Sequence, residues 1–370
     1  MNELRVIHRQ AKHTLALAKY PEAQPHWVAD MSFATPEPVL SAIKDRVAEG
    51  HFSYPNTPDT LYDAIQHWCK TRYQWDIDRE WIVIVPNTMS GVRTGVKSVC
   101  EKGPLFFQRP NYSKLLNLSS GFDVESRIIN PAMAGTPFYA NDFLEIKRAR
   151  PSAVVLCNPT NPTGIVSSRE QLEAMANCIQ DLDTVIISDE AHADFILGER
   201  YHIPAGSVKG LENRSITILS PSKTFNLAGI SVAYAVIPSR SLREKFISTK
   251  EFYSTGINAL GLVALEHAYL HCAKWLDKLV VHLKENQAIL RNDLLHTSLR
   301  YSPSDATYLA WIDAREAGDN IFEKLLHRGI AVSDGHEFGS PGWIRLNFSC
   351  PTDQLKNATN TMLSLFGSSK

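Results

Sequence analysis

Lys223 stands where an apolar run, Ile216 to Leu219, breaks at Ser220-Pro221-Ser222. A β-branched run of that kind reads as a buried strand. Two serines can hydrogen-bond a phosphate, and a lysine among apolar neighbours can lose enough basicity to act as an amine nucleophile. Three other apolar runs end in polar groups: Leu105 to Gln108 leads to Tyr112, Ala153 to Cys157 to Asn161, and Thr184 to Ile187 to Asp189. Together these groups suit a heteroaromatic aldehyde phosphate. Lys223 would join the aldehyde as a Schiff base. The charge of Asp189 would keep the ring nitrogen protonated, so that the ring draws electrons from a substrate's α-carbon. Asn161 would donate to the ring hydroxyl, and Tyr112 would stack on the ring face. Thr88 and Met89, at the start of a helix after the strand Trp81 to Val85, would offer backbone N–H groups to the phosphate beside Ser220 and Ser222.

These residues need a frame that brings strand ends to one edge. From Trp81 to Ile237, β-branched runs alternate with amphipathic stretches. That pattern predicts an α/β fold with a mainly parallel sheet covered by helices, and ligands beyond the carboxyl ends of its strands. Residues 1–48 read as an arm and a first helix. The arm holds an amphipathic stretch from Leu4 to Leu17; the helix runs from Pro36 to Gly50 with Val39, Ile43 and Val47 on one face. Residues 49–257 read as the large cofactor-binding domain. Thr57-Pro58-Asp59 predicts a helix start with a hydroxyl cap, and Ser168 with Gln171 a capping box. Residues 258–370 read as a connecting helix to about His296, bent near His271 to Trp275, and a smaller C-terminal α/β domain.

Composition narrows the class. The chain has 370 residues, 44% hydrophobic and 21% charged, with a net charge of −1. Near-neutrality argues against a nucleic-acid or anionic-membrane surface. No apolar run approaches the ~18 residues that span a bilayer. The six cysteines form no CxxC pair and read as buried thiols of a cytoplasmic protein. His267 and His271 have i,i+4 spacing on a helix with Cys272 beside them, but no third ligand at motif spacing follows, so no metal site is expected.

The motifs Asn161-Pro162-Thr163-Gly164, Ser188-Asp189-Glu190 and Ser220-x-Ser222-Lys223 resemble the signature of fold-type-I pyridoxal-phosphate enzymes of aminotransferase class I/II. The stretches Trp27 to Pro36, Asp189-Glu190-x-His192-x-Asp194, Ser222 to Gly229, Ser304 to Trp311 and Ile344-Arg345-Leu346-Asn347 are similar to those of MalY/PatB-like cystathionine β-lyases. The resemblance runs from Trp27 to the C-terminal helix. It implies a PLP-dependent transferase-like fold and pyridoxal 5'-phosphate as cofactor. It also implies elimination of a thiol or sulfenate from a cysteine S-conjugate such as cystathionine, giving pyruvate and ammonia. It makes Arg345 the clamp for the substrate α-carboxylate. It assigns Tyr54 to the phosphate and substrate of a neighbouring subunit, hence a homodimer with shared active sites. His192, where aminotransferases usually hold a tyrosine, and Ser231, where they often hold an arginine, favour the lyase branch. Ser32 departs from the lyases, which commonly carry aspartate there. The alternatives are an aminotransferase on the same scaffold and a cofactor-binding regulator. No appended DNA-binding module supports the second.

Overall fold

Seven apolar segments form one twisted sheet. In chain order they are β1 (Ile82–Val85), β2 (Leu105–Gln108), β3 (Ser126–Ile129), β4 (Ala153–Cys157), β5 (Val185–Asp189), β6 (Ser215–Leu219) and β7 (Ala233–Val236). The computed structural model describes residues 4–100, 103–122, 124–129, 140–253 and 256–367. The spatial order is β1-β7-β6-β5-β4-β2-β3. Pairs among β2 to β6 are parallel, and β7 runs antiparallel to both β1 and β6. Successive residues of a strand point to opposite faces. Val83 and Val85 pack with Val92, Val96, Leu242 and Phe246 on one face, whereas Ile82 and Ile84 join Leu61, Ile65 and Trp68 on the other. Both faces are thus helix-covered, which explains the continuous apolar runs.

The helix Thr88–Val99 lies close on this sheet because it lacks side chains where it touches. A Cβ on Gly91 would come within 3.1 Å of Ile218 Cγ2 and 3.3 Å of Val85 Cγ2. Gly164 adopts φ +68°, and a Cβ there would collide with the Ala306 carbonyl and Ser304, so only glycine fits where the loop after β4 meets the C-terminal part.

A second, antiparallel sheet has the order Ser333–Asp334, Trp343–Asn347, Leu309–Asp313, Arg300–Tyr301. Ile330–Ala331 pairs in parallel with Gln24–Pro25 of the arm. The C-terminal helix is Thr352–Phe366. The expected single helix after 258 is two, Ala259–His271 and Ala273–Leu294, with Cys272 between them outside the helical region at φ −111° and ψ 12°. The Asn258 side chain caps the first through Leu260 N at 3.0 Å.

Other expectations shift by local chemistry. The helix Asp59–Tyr73 starts after Pro58 with no side-chain cap, so Thr57 does not serve as one. Leu61, Ile65 and Trp68 are buried, and Trp68 stacks on Tyr269 at 4.5 Å. The helix Glu37–Ala48 buries Val39 and Ala42 but leaves Val47 exposed. The stretch Leu4 to Leu17 holds only two short turns, Ala11–His13 and Leu15–Ala18. The capping box of Ser168 and Gln171 is present. All six cysteines are buried and unpaired. No described helix is long and apolar enough to cross a membrane.

Candidate active site

Asp189 and Lys223 leave β5 and β6 at the same edge of the sheet. Asp189 lies in register between Cys157 of β4 and Ile218 of β6. The chain after β4 brings Asn161 to that edge, and the chain after β6 brings Lys223. Ser220 forces the turn. Its hydroxyl caps the short helix Pro221–Thr224 by accepting from Ser222 N at 3.1 Å and donates to the Val232 carbonyl at 2.7 Å. The Ser222 hydroxyl lies 3.2 Å from the same carbonyl. Both hydroxyls expected at a phosphate therefore also fasten β6 to the start of antiparallel β7.

Lys223 is half-buried, and Nζ donates to the Ala29 carbonyl at 2.7 Å. Burial and the positive charge of Arg345 lower the amine to about 8, and the carboxylates of Asp30 and Asp189 oppose them. An ammonium loses hydration on burial, so the neutral amine gains weight. Burial pushes the buried Asp189 carboxyl up to about 6, against a hydrogen bond from Ala191 N at 3.2 Å and the charge of Lys223. His192, 4% exposed, is lowered to about 3 by burial and by the cations Lys223 and Arg345.

Arg345 comes from the second sheet, where it is in register with Trp311 and Ser333. Its Nη1 donates to Asn161 Oδ1 at 3.0 Å, and Nη2 to the Trp27 carbonyl at 2.6 Å and Ser333 Oγ at 3.1 Å. The guanidinium lies 4.6 Å from the centre of the Phe338 ring. Its buried Nε has no partner among the described residues. Tyr112 is half-buried nearby, its hydroxyl held above its ordinary value by burial and then by Asp189. Thr88 and Met89 open their helix, whose cap Asn87 accepts from Ser90 N at 2.9 Å. Tyr54 stands apart at 102% exposure.

Residues without an expected role complete the wall. The segment Trp27 to Asp30 offers main-chain acceptors to the whole site. Ala29 O also accepts from Tyr308 Oη at 3.2 Å, and Asn347 Nδ2 donates to Val28 O and Asp30 O, both at 2.6 Å. Asn226 ties in the continuation, accepting from Met31 N at 3.2 Å and donating to Phe33 O at 2.8 Å. Behind Asp189, Glu190 is 1% exposed. It accepts from Ser188 Oγ at 2.7 Å and Ala205 N at 2.9 Å, and contacts His202 Nε2 at 2.7 Å. Asp30, Tyr308 and Asn347 lie inside stretches noticed in the sequence, but acceptance by main-chain carbonyls leaves no residue pattern to find. Ser32 turns away from the site: its hydroxyl donates to Gln354 of the C-terminal helix at 3.3 Å.

The donor set fits a phosphorylated pyridine aldehyde. A half-buried amine of lowered basicity shares the sheet edge with a buried carboxylate, and a helix start can offer N–H groups to a phosphate. The buried His192 Nδ1 has no partner among the described residues, as expected of a ring waiting for a ligand group. His267 and His271 lie with ring centres 5.5 Å apart, and Cys272 Sγ points to the His267 carbonyl at 3.7 Å.

A family model described as aminotransferase class I and II matches residues 28–362. The cystathionine beta-lyase PatB of Bacillus subtilis (strain 168) is 31% identical over 91% of this chain and 90% of its own. The crystal structure of OvoB superposes with a TM-score of 0.94 over 100% of both chains at 28% identity. The PLP-bound C–S lyase of Staphylococcus hominis superposes with a TM-score of 0.89 over 98% of both chains at 25% identity. Structural homologues thus bind pyridoxal 5'-phosphate.

Proposed function

Because the chain belongs to the aminotransferase class I and II family, we propose that it is a pyridoxal-phosphate-dependent carbon–sulfur β-lyase. It would split a cysteine S-conjugate such as cystathionine into a thiol, pyruvate and ammonia. The observation that carries this reading is that Lys223, lowered to about 8, and the buried carboxylate of Asp189 leave neighbouring strands at one edge of the sheet and act on each other's charge. The likeness to the C–S lyases supports the choice of reaction.

The cofactor, when bound, supplies an electrophilic carbonyl carbon and a ring that accepts the electron pair released at the substrate's α-carbon. The residues of this chain do the rest. Lys223 Nζ would hold the cofactor and take the substrate's α-proton, a task suited to an amine poised near neutrality. Asp189 would pair with the ring nitrogen and keep a proton there. Asn161 and His192 would serve the ring hydroxyl, and Tyr112 the ring face. Thr88, Met89, Ser220 and Ser222 would hold the phosphate. Arg345, fixed by Asn161, Trp27 and Ser333, orients the α-carboxylate. Tyr54 acts in the site of a second copy. Its full exposure in the single chain supports that assignment. The sulfur leaves from the β-carbon as the α-electrons move in, so no keto-acid acceptor is consumed.

The test is to mix the purified holoenzyme with cystathionine in the absence of any keto acid. Pyruvate that depends on Lys223, lost in Lys223→Ala, is expected. Absence of pyruvate from several cysteine conjugates, with conversion of the cofactor to its amine form, would instead establish transamination.

A further inference from the structure

The motif Asp189-Glu190-x-His192-x-Asp194 ends in a carboxylate that holds neither the cofactor nor the substrate. Asp194 sits in the turn after β5, closed by Ala193 N to Glu190 O and Phe195 N to His192 O, both at 3.1 Å. Its Oδ1 accepts from Trp68 Nε1 at 3.1 Å and from Tyr73 Oη at 2.7 Å. Its Oδ2 accepts from Thr224 Oγ1 at 2.6 Å. Thr224 is fully buried and is the residue after Lys223.

The two oxygens of Asp194 meet two different bodies. Trp68 and Tyr73 belong to the long helix Asp59–Tyr73, whose inner face lies in the core. Burial, and then the charge of Asp194, hold the Tyr73 hydroxyl well above its ordinary value, so it stays a donor. Thr224 belongs to the four-residue helix Pro221–Thr224. A helix that short has no stability of its own and is placed by whatever holds its ends. Ser220 holds its start. Asp194 holds its end, beside Phe225, whose ring meets Trp68 edge-on with centres 5.8 Å apart.

Oδ1 alone satisfies the Trp68 and Tyr73 donors. The bond from Thr224 is thus an addition, and it has the short length of a charge-assisted contact. It joins the chain after β5, which starts at Asp189, to the chain after β6, which carries Lys223. Within the sheet, Glu190 N still reaches Ile218 O at 2.9 Å. Beyond that point the ladder no longer sets the spacing of the two chains, and Lys223 lies four residues past Leu219. We propose that Asp194 is a positioning residue for Lys223. Through Thr224 it sets the lysine-bearing helix against Asp189, so that Nζ reaches the cofactor's carbonyl carbon while Asp189 pairs with the ring nitrogen. The proposal rests on Lys223 being the amine that takes the cofactor, not on which substrate bond is then broken.

Two forms of the cofactor separate positioning from support. Pyridoxal 5'-phosphate, added to the full-length cofactor-free protein, joins Lys223 through a carbon–nitrogen double bond with loss of one water, and the visible band gives the rate. Pyridoxamine 5'-phosphate has the same ring and phosphate but no aldehyde. It fills the site without reacting, and calorimetry gives its affinity. In Asp194→Asn and in Thr224→Val the rate of covalent capture should fall by about tenfold or more, the scale set by misplacing a reacting group. The affinity for pyridoxamine 5'-phosphate should hold, which also reports that each variant is folded. Thr224→Ser, which keeps the hydroxyl, should capture at the wild-type rate. The double variant should be no slower than the slower single one, because both changes remove one link. If Asp194→Asn does not fold, Thr224→Val and Thr224→Ser decide by the same two readouts. An undiminished rate in either variant, a parallel loss of pyridoxamine 5'-phosphate affinity, or losses that multiply in the double variant overturns the proposal. A wild-type protein that captures no pyridoxal 5'-phosphate overturns it together with the role of Lys223. Capture that follows the expected pattern while no cysteine conjugate yields pyruvate leaves the positioning role standing and removes the lyase reading instead.

Discussion

The guanidinium of Arg345 donates to the side-chain oxygen of Asn161 at 3.0 Å, although the two residues are 184 positions apart. One belongs to the second sheet and the other to the loop after β4. Two of the three guanidinium nitrogens are held by Asn161, Trp27 and Ser333, while the buried Nε has no partner among the described residues. The planar fork is fixed before any ligand arrives.

Arg345→Lys should therefore fail to substitute. A single ammonium cannot hold Asn161, Trp27 and Ser333 and also present a fork to a carboxylate. Steady-state kinetics on cystathionine should show KM raised by about 10- to 100-fold, with a smaller change in kcat. An unchanged KM would remove Arg345 from substrate binding.

Asp189 sets a trade between stability and function. Its carboxyl, near 3.8 in an unfolded chain, is raised to about 6 by burial. The folded form thus favours the proton. The penalty is absent below the unfolded value, grows between the two, and is complete above about 6. Asp189→Asn should make the cofactor-free protein more stable at neutral pH by on the order of 2–3 kcal/mol. The gain should vanish in acid, while the loaded enzyme loses activity. Urea denaturation of both cofactor-free proteins across that range checks the sign.

Glu190→Ala should cost much more stability than the loss of an exposed acid. It strands Ser188 Oγ, Ala205 N and the buried His202 ring together. Leaving a buried polar group without its partner costs about 1–3 kcal/mol for each group. A denaturation midpoint equal to that of wild type would show that the pair is dispensable.

Tyr54 gives a test of shared sites. Tyr54→Phe should leave the unfolding midpoint unmoved, because the side chain is fully exposed in the single chain. Activity should fall. Co-refolding inactive Tyr54→Phe with inactive Lys223→Ala should restore activity, since a mixed dimer contains one site with both native residues. No recovery in a mixture shown to exchange subunits would place Tyr54 outside the site.

Much of this architecture is legible in the sequence where chemistry and periodicity coincide. Strands β4, β5 and β6 are buried on both faces, so their runs are mostly apolar, and the polar residues at and just beyond their ends stand out. The capping box at Ser168 is visible because both its partners are side chains. The edge strand β3 shows the opposite case: Ser126 and Arg127 mark a half-exposed surface, and its residues carry no buried run. The bend expected near His271 to Trp275 is a full break at Cys272, although the residues on either side favour helix. The role of the segment Trp27 to Asp30 was illegible for a deeper reason. It serves through carbonyl oxygens, which every residue possesses, and only the fold decides which of them meet Lys223, Arg345 and Asn347.

That last arrangement bears on how the molecule comes into being on the ribosome. The carbonyls of Trp27 to Asp30 emerge early, and the side chains of Arg345 and Asn347 that grip them emerge almost last. A nascent chain halted before Trp343 already possesses Lys223, Asp189 and Asn161, and Tyr308 to hold the Ala29 carbonyl, yet it lacks the Arg345 and Asn347 bonds to Trp27, Val28 and Asp30. Completion of the site is thereby tied to completion of synthesis, and a truncated product would carry the reactive lysine behind an unfinished wall.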